Sequence, residues 1–401
     1  MLNMKRLLKS HRFKRFYDSL EKLTDVRMKG KIKHRLSDCL TIIILASLSG
    51  CNIFKEYIWF AKKYENRLKK FLALSNGIPS HDTLERIMHK IKNEELEPAL
   101  VRIIIRHLNL PKIVSLDGKF IRGTRDATKE KTSAINIVTL YDVINKAPLM
   151  SCQTGRDKNK KGGEQGAIEH LLRKYHRLHP KDNLIISIDA IGANQHIINL
   201  CNELGYGFVI NIKNDEKEGL GGIIKDDFLT ELSNDKSDRI SKTIIQNKKV
   251  DHGRLEKRTF YLISDLSYAR DRYKGLSSVV KSIGMMVSET LTIRKDEVTT
   301  CQRFFIMSEM DVAMFSHTKR KHWNIEAFHY ILDNSFMEDR CTLRKGSGAL
   351  NLNLIRKFVF TIIQINKTSK SFSESRRENV YLSPHQLLYK ILYPKTRQSD
   401  Q

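Results

Sequence analysis

No two of the six cysteines (Cys39, Cys51, Cys152, Cys201, Cys301 and Cys341) fall in the close pairs that a zinc knuckle or a redox motif needs. Structural zinc is not expected, and scattered thiols in a chain that shows no secretory leader suit a reducing cytoplasm. A long apolar run is missing too. The longest, residues 40–48, is interrupted by Thr41 and Ser47 and falls far short of the roughly 20 residues that span a bilayer, so no membrane partner is expected. There is no internal repeat or low-complexity tract. Acidic residues are also in deficit, with 45 Asp plus Glu against 71 Lys plus Arg, a net charge of +26. A surplus of that size attracts polyanions and points to nucleic acid, without separating DNA from RNA.

At 401 residues the chain should form more than one structural unit, because single cores stop growing near about 250–300 residues. Residues 1–33 carry Lys5, Arg6, Lys9, Arg12, Lys14 and Arg15 among few core-forming residues and read as a basic N-terminal arm. From 34 to 110 apolar positions recur at helical spacing, which predicts an all-helical unit; Asp82 and Glu85 supply capping-box chemistry after the Gly77-Ile78-Pro79 break. After Pro111 the period changes. Short β-rich runs at 113–116, 134–143 and 148–152 suggest an antiparallel meander, followed by a helix at 166–178, a strand at 184–188, a helix at 195–204 and a strand at 208–212. That order is the one expected of an α/β, ribonuclease H-like catalytic core. It occupies 111–368, with a β-rich insertion at about 214–315 and helices returning near 317–333 and 350–365. A C-terminal tail, 369–401, closes the chain and reads as polar and loose apart from the short apolar patch Leu387 to Leu392.

Two strands end alike: Ile113-Val114-Ser115-Leu116-Asp117-Gly118 and Ile185-Ile186-Ser187-Ile188-Asp189-Ala190. Each puts a carboxylate at a strand's end, where open α/β sheets bind ligands, and neighbouring carboxylates there can share divalent cations. Taken singly, Asp117-Gly118 also reads as a turn and Asp189 as a helix N-cap. Glu326 lies in Lys319-Arg320-Lys321-His322-Trp323-Asn324-Ile325-Glu326, where one helix carries an acid among bases; a surface ion-pair helix has the same pattern.

These three segments resemble the catalytic segments of the H-repeat-associated (ISAs-type) family of bacterial insertion-sequence DDE transposases. Gly77-Ile78-Pro79-Ser80-His81-Asp82-Thr83 and His252-Gly253-Arg254-Leu255-Glu256-Lys257-Arg258 resemble two further family signatures. Leu332-Asp333, Phe336, Glu338-Asp339 and Arg344-Lys345-Gly346 continue the pattern, and Asn351 to Arg356 extends it. The segment Asp157 to Glu164 departs from it, with Gly162-Gly163 where a Ser-Asn pair is usual.

The resemblance implies Asp117, Asp189 and Glu326 as catalytic metal ligands for Mg²⁺, with Mn²⁺ as a substitute. It also implies Lys119, Arg320, Lys321, His322, Arg344 and Lys345 near DNA phosphates. The implied reaction is metal-dependent cutting at the element's ends and joining of the 3′ ends to target DNA. The expected partners are double-stranded DNA, as terminal inverted repeats read by the helical unit 34–110 as the DNA-binding domain and as target, and further copies of the chain in a homodimer or higher oligomer on DNA. The expected location is the nucleoid. Two other readings share these features: another ribonuclease H-like nuclease, and a decayed or domesticated copy that binds DNA without catalysis.

Overall fold

A computed structural model describes residues 4–125, 134–154, 163–189, 194–213, 219–234, 238–246, 253–266, 279–367 and 371–395. The motif residues Ala190-Ile191-Gly192, His252 and 157–162 lie outside the described residues.

Seven helices come first: α1 (Met4–Leu8), α2 (His11–Glu21), α3 (Leu36–Leu48), α4 (Phe54–Lys63), α5 (Glu65–Leu68), α6 (His81–Lys90) and α7 (Asn93–Ile104). Every residue of α3 is buried, as befits a helix apolar nearly all round, so the longest apolar run of the sequence is a core helix. The strands β1 (Ile113–Ile121), β2 (Ile135–Asp142) and β3 (Ala147–Gln153) form an antiparallel meander. After α8 (Glu164–Leu178), β4 (Ile185–Ile188) pairs parallel to β1; after α9 (Gln195–Glu203), β5 (Gly207–Ile212) pairs parallel to β4. The chain then makes α10 (Leu220–Ser233), β6 (Ile240–Gln246), β7 (Arg254–Ile263), β8 (Ser282–Thr292) and β9 (Glu297–Met307). It ends in α11 (Val312–Asn334), α12 (Gly348–Ile365), α13 (Phe372–Val380) and α14 (Pro384–Leu392).

Among the described residues the strands form one sheet in the order β3-β2-β1-β4-β5-β9-β8-β7-β6. The period-2 alternation of strands sorts side chains onto its two faces. Val114, Leu116, Val138 and Leu140 enter a core closed by α8, α9 and α10; Ile113, Ile121, Ile135, Ile137 and Tyr141 enter the opposite core, closed by the N-terminal helices together with α11 and α12. The result is a mixed α/β architecture of helices on both faces of a large sheet.

Three segments differ from the sequence reading. The basic arm is docked, because α2 turns Phe16 and Leu20 inward and buries them completely; its bases occupy the other side. The β-rich insertion at about 214–315 carries β6 to β9 and extends the core sheet itself: β9 pairs antiparallel with β5, and β8, β7 and β6 continue outward from it. Over its described residues, 371–395, the tail is not loose. Buried Arg376 of α13 donates to the carbonyls of Ser47 and Cys51 at 3.3 Å and to Asn52 Oδ1 at 2.7 Å, while Leu387, Leu388 and Ile391 of α14 are buried in the helical core. A polar composition had hidden a few anchoring side chains whose partners lie more than 300 residues away.

Candidate functional site

Parallel pairing of β1 with β4 puts Ser115 opposite Ser187 and Leu116 opposite Ile188. Alternation then fixes the rest. Leu116 and Ile188 point into the core beneath α8 and α9, whereas Ser115, Asp117, Ser187 and Asp189 share the face covered by α11. Asp189 follows the last residue of β4. Asp117 is not at the end of β1 as expected; it lies within the strand, opposite Thr139 of β2, at the level where the parallel pairing with β4 stops.

Along α11, Lys319, His322, Glu326 and His329 recur at spacings of three and four and make a polar stripe toward those carboxylates, beside the buried stripe Ile325, Phe328 and Leu332. His322 is 2 % exposed. Its Nδ1 lies 3.1 Å from Ser115 Oγ and 2.9 Å from Ser187 Oγ, and its Nε2 lies 3.4 Å from Asp189 Oδ1. Burial pushes the imidazole's pKa down, and a hydrogen bond from His322 holds the Asp189 carboxyl below the ordinary range. Both directions describe a neutral imidazole donating from Nε2 to a carboxylate, with Nδ1 facing the hydroxyls; the tautomer is assigned from these contacts. The serines of the two Ser-x-Asp segments thus seat the histidine that orients Asp189. On the neighbouring strand, His329 Nδ1 stands 3.3 Å from Asp117 Oδ2.

Glu326 feels the charges of the other two acids. Burial first, then the charges of Asp189 and Asp117, raise the Glu326 carboxyl above the ordinary range. A fourth carboxylate, which the sequence reading did not single out, belongs to the same field. Glu164, the first residue of α8, is raised by burial and then by Asp117, and Asp189 adds to this; hydrogen bonds from the Gly118 N–H and Asn136 offset part of the rise. Gly118 makes room for it, since a Cβ there would come within 2.6 Å of Glu164 Cδ. The sequence signal for Glu164 was its place at the close of the family segment Asp157 to Glu164, ahead of a helical stripe; nothing local joins it to Asp117-Gly118.

Positive charge lies close by. Burial lowers the Lys319 ammonium to about 8 against the pull of Asp189, and Arg303 of β9 acts on Asp189, Glu326 and Lys319 alike. From β7, Arg258 stacks 4.5 Å above the Trp323 ring, so the strands of the insertion brace the helix that carries Glu326.

The bases expected near DNA separate into two groups. Arg320, Arg344 and Lys345 are exposed and Lys321 is half-buried. His322 and Lys119 face inward, contrary to expectation. His322 is held by the two serines. The Lys119 ammonium lies 2.6 Å from Asp333, 3.3 Å from Asp339 and 3.7 Å from Glu338; burial pulls its pKa down, but these carboxylates outweigh that and hold it above the ordinary value.

Among the described residues no three His, Cys, Asp or Glu side chains are grouped so as to hold one metal ion unaided. The donors of the cluster are carboxylate oxygens, the ligands that Mg²⁺ prefers, and Mg²⁺ keeps several of its own waters, so two carboxylates on one ion suffice. Glu326 and Glu164, raised in part by the charges of Asp117 and Asp189, are acids whose repulsion a divalent cation would relieve.

Comparison with known proteins agrees with the motifs. Residues 17–104 match the DDE_Tnp_1-associated family. YncI of Escherichia coli O157:H7, which carries a transposase name, is 27% identical over 374 residues, 91% of this chain and 91% of that protein. YhhI of E. coli K12, named as an H repeat-associated transposase, is 26% identical over 367 residues, 89% and 92% of the two chains. The inactive transposase YbfQ of E. coli K12 is 32% identical over 79 residues, 20% of this chain and 94% of its own length. A piggyBac transposase, solved as a synaptic complex with hairpin DNA, superimposes with a TM-score of 0.42 at 10% identity, covering 99% of this chain and 83% of that one. The class is therefore that of insertion-sequence transposases, and this chain belongs to the H repeat-associated family.

Proposed function

We propose that the protein is a DNA transposase with a ribonuclease H-like core, which cuts the ends of its insertion sequence and joins the freed 3′ ends to target DNA. The single observation that supports this reading is that Asp117 and Asp189 share the sheet face packed by α11, close enough for both charges to act on Glu326 of that helix. The order β3-β2-β1-β4-β5, with β2 antiparallel and β4 and β5 parallel, supports the ribonuclease H-like assignment.

Asp117, Asp189 and Glu326 would hold Mg²⁺, with Glu164 as a fourth oxygen donor beside them. Bound there, paired divalent ions supply an activated attacking oxygen and charge stabilisation for the leaving oxygen of an in-line displacement at phosphorus. The chain's own residues bind and orient. Neutral His322, seated by Ser115 and Ser187, keeps Asp189 ionised and aimed; His329, 3.3 Å away, orients Asp117. Buried Lys319 and exposed Arg303 offset carboxylate charge, and exposed Arg320, Arg344 and Lys345 contact phosphates on the approaching duplex.

The test uses the full chain with a duplex carrying the element's end and a target plasmid. Asp117→Asn, Asp189→Asn and Glu326→Gln are expected to lower magnesium-dependent nicking by at least about 10²–10³-fold while leaving duplex binding and the melting temperature near the parent's. Parent-like cutting by any of the three, or their failure to fold, would sink the assignment. Nicking without strand-transfer products would identify a simple nuclease instead, and binding by the parent with no cutting would identify a DNA-binding copy.

A further inference from the structure

The bases of the N-terminal segment do not spread evenly over α2. While Phe16 and Leu20 dock that helix, His11, Arg15, Asp18 and Lys22 recur at spacings of three and four on its outer side, with Lys14 next to them. Across from this row stand Arg102 at the last turn of α7 and Arg106 just beyond it. Between the two rows lie adjoining cavities of about 560 and about 300 Å³, which share Arg15, Arg102 and Arg106.

Six permanent cations (Arg12, Lys14, Arg15, Lys22, Arg102 and Arg106) line this groove, against Asp18 as the lining's acid. Among the described residues none of the six makes an ion pair with a carboxylate, although many bases elsewhere do, among them Arg27, Lys69, Arg173 and Lys257. Complementing the α7 dipole accounts for Arg102 alone. It does not explain a second row from another helix brought against the first. The crowding of charge registers on His107 at the groove's end, whose imidazole is pushed down by burial and then by Arg12 and Arg106.

We infer that the groove between α2 and the end of α7 is a binding site for the sugar-phosphate backbone of duplex DNA, separate from the carboxylate cluster. Five cations without a carboxylate partner around a cleft match a row of phosphates, and three of the five (Arg15, which also contacts His11 Nδ1 at 3.2 Å, Arg102 and Arg106) offer guanidinium forks. From His11 to Lys22 the row runs about 16 Å at the helical rise of about 1.5 Å per residue. At about 3.4 Å of axis per phosphate of one strand, that length faces about five phosphates. Arg12 anchors the end of the row by donating to the Leu392 carbonyl at 3.1 Å and stacking 4.5 Å over Tyr393. Single-stranded nucleic acid fits less well. Its bases stack on open aromatic faces, whereas the lining's phenyl ring, Phe16, is 1 % exposed and the Tyr393 ring lies under Arg12. The choice of duplex DNA as the polyanion rests on the transposase reading above.

The experiment measures affinity of the full chain for a mixed-sequence duplex, and for single-stranded DNA and RNA of equal length, by fluorescence anisotropy over a range of salt concentrations. Replacing Arg15, Arg102 and Arg106 together by Gln should lower the slope of log K against log salt by about 3 in magnitude, since each phosphate contact contributes about 0.9. Affinity at physiological salt should fall more than tenfold. The same three residues replaced by Lys should keep most of the slope. These side chains lie on the surface; if the triple Gln variant melts early, Arg15→Gln and Arg106→Gln singly should each remove about 1 from the slope. An unchanged slope, or tighter binding of single strands than of duplex, overturns the inference. The two proposals fail separately. Groove variants should still nick when DNA is saturating, whereas Asp117→Asn should bind and not nick, so loss of groove binding in a protein that never nicks would leave the groove standing and remove the transposase mechanism.

Discussion

Lys357 of α12 is 4 % exposed and ties the helical layer to the sheet. Its ammonium donates to Thr139 Oγ1 of β2 and Ser151 Oγ of β3, both at 2.7 Å. Glu97 of α7, which accepts from the Ser151 N–H at 2.7 Å and pairs with Lys174 of α8 at 2.7 Å, adds an attractive charge. Burial nevertheless dominates and lowers the Lys357 pKa from 10.5 to about 8. In the unfolded chain the amine returns to its ordinary value. Between about pH 8 and about 10.5 the unfolded state therefore binds more protons than the folded one, and stability must rise with pH across that window. At about 1.4 kcal/mol per pH unit, the gap between about 8 and 10.5 is worth about 3 kcal/mol. Lys357→Met removes the titration. Near pH 7 the variant sheds the cost of a buried charge but strands two buried hydroxyls at about 1–3 kcal/mol each, so its stability should lie close to the parent's. With rising pH the parent gains and the variant does not. Other groups that titrate in this range, such as Lys319 and Cys39, are present in both proteins and cancel. Urea unfolding of both at several pH values from about 7 to about 10.5 should show the parent-minus-variant difference growing by about 3 kcal/mol. A flat difference would refute the claim that Lys357 is charged and desolvated in the fold.

Further outcomes follow from the carboxylate cluster. His322→Ala strands the buried Ser115 and Ser187 hydroxyls and leaves a cavity, so it should cost about 3 kcal/mol in denaturant melts and lower nicking without altering the salt dependence of DNA binding; a loss under about 1 kcal/mol would mean the imidazole is not the seat described. Glu164→Gln keeps the hydrogen-bonding shape and removes the charge. It should raise the magnesium concentration needed for half-maximal nicking and weaken calorimetric Mg²⁺ binding, and Gly118→Ala, which pushes the same carboxylate aside, should do likewise; parent-like Mg²⁺ binding by both would remove Glu164 from the site.

The sequence by itself determined whatever repeats over a few residues. The two Ser-x-Asp endings specify which side chains share a strand face, and the spacing of Lys319, His322, Glu326 and His329 specifies which share a helix face; both follow from backbone periods that each segment carries alone. The helical N-terminal stretch and the strand-rich middle were legible for the same reason. Only the tertiary structure decided which faces meet. It set β1 beside β4 so that two serines receive His322, turned Lys119 toward Asp333, brought Glu164 to Gly118, and ran β9 along β5 so that the insertion's strands continue the core sheet. It also drew the bases of α2 and α7 to one cleft and buried a tail whose composition is polar. None of these pairings has a local signature, because the energy that selects them comes from burying surfaces between segments up to hundreds of residues apart, and no short window of sequence contains both partners.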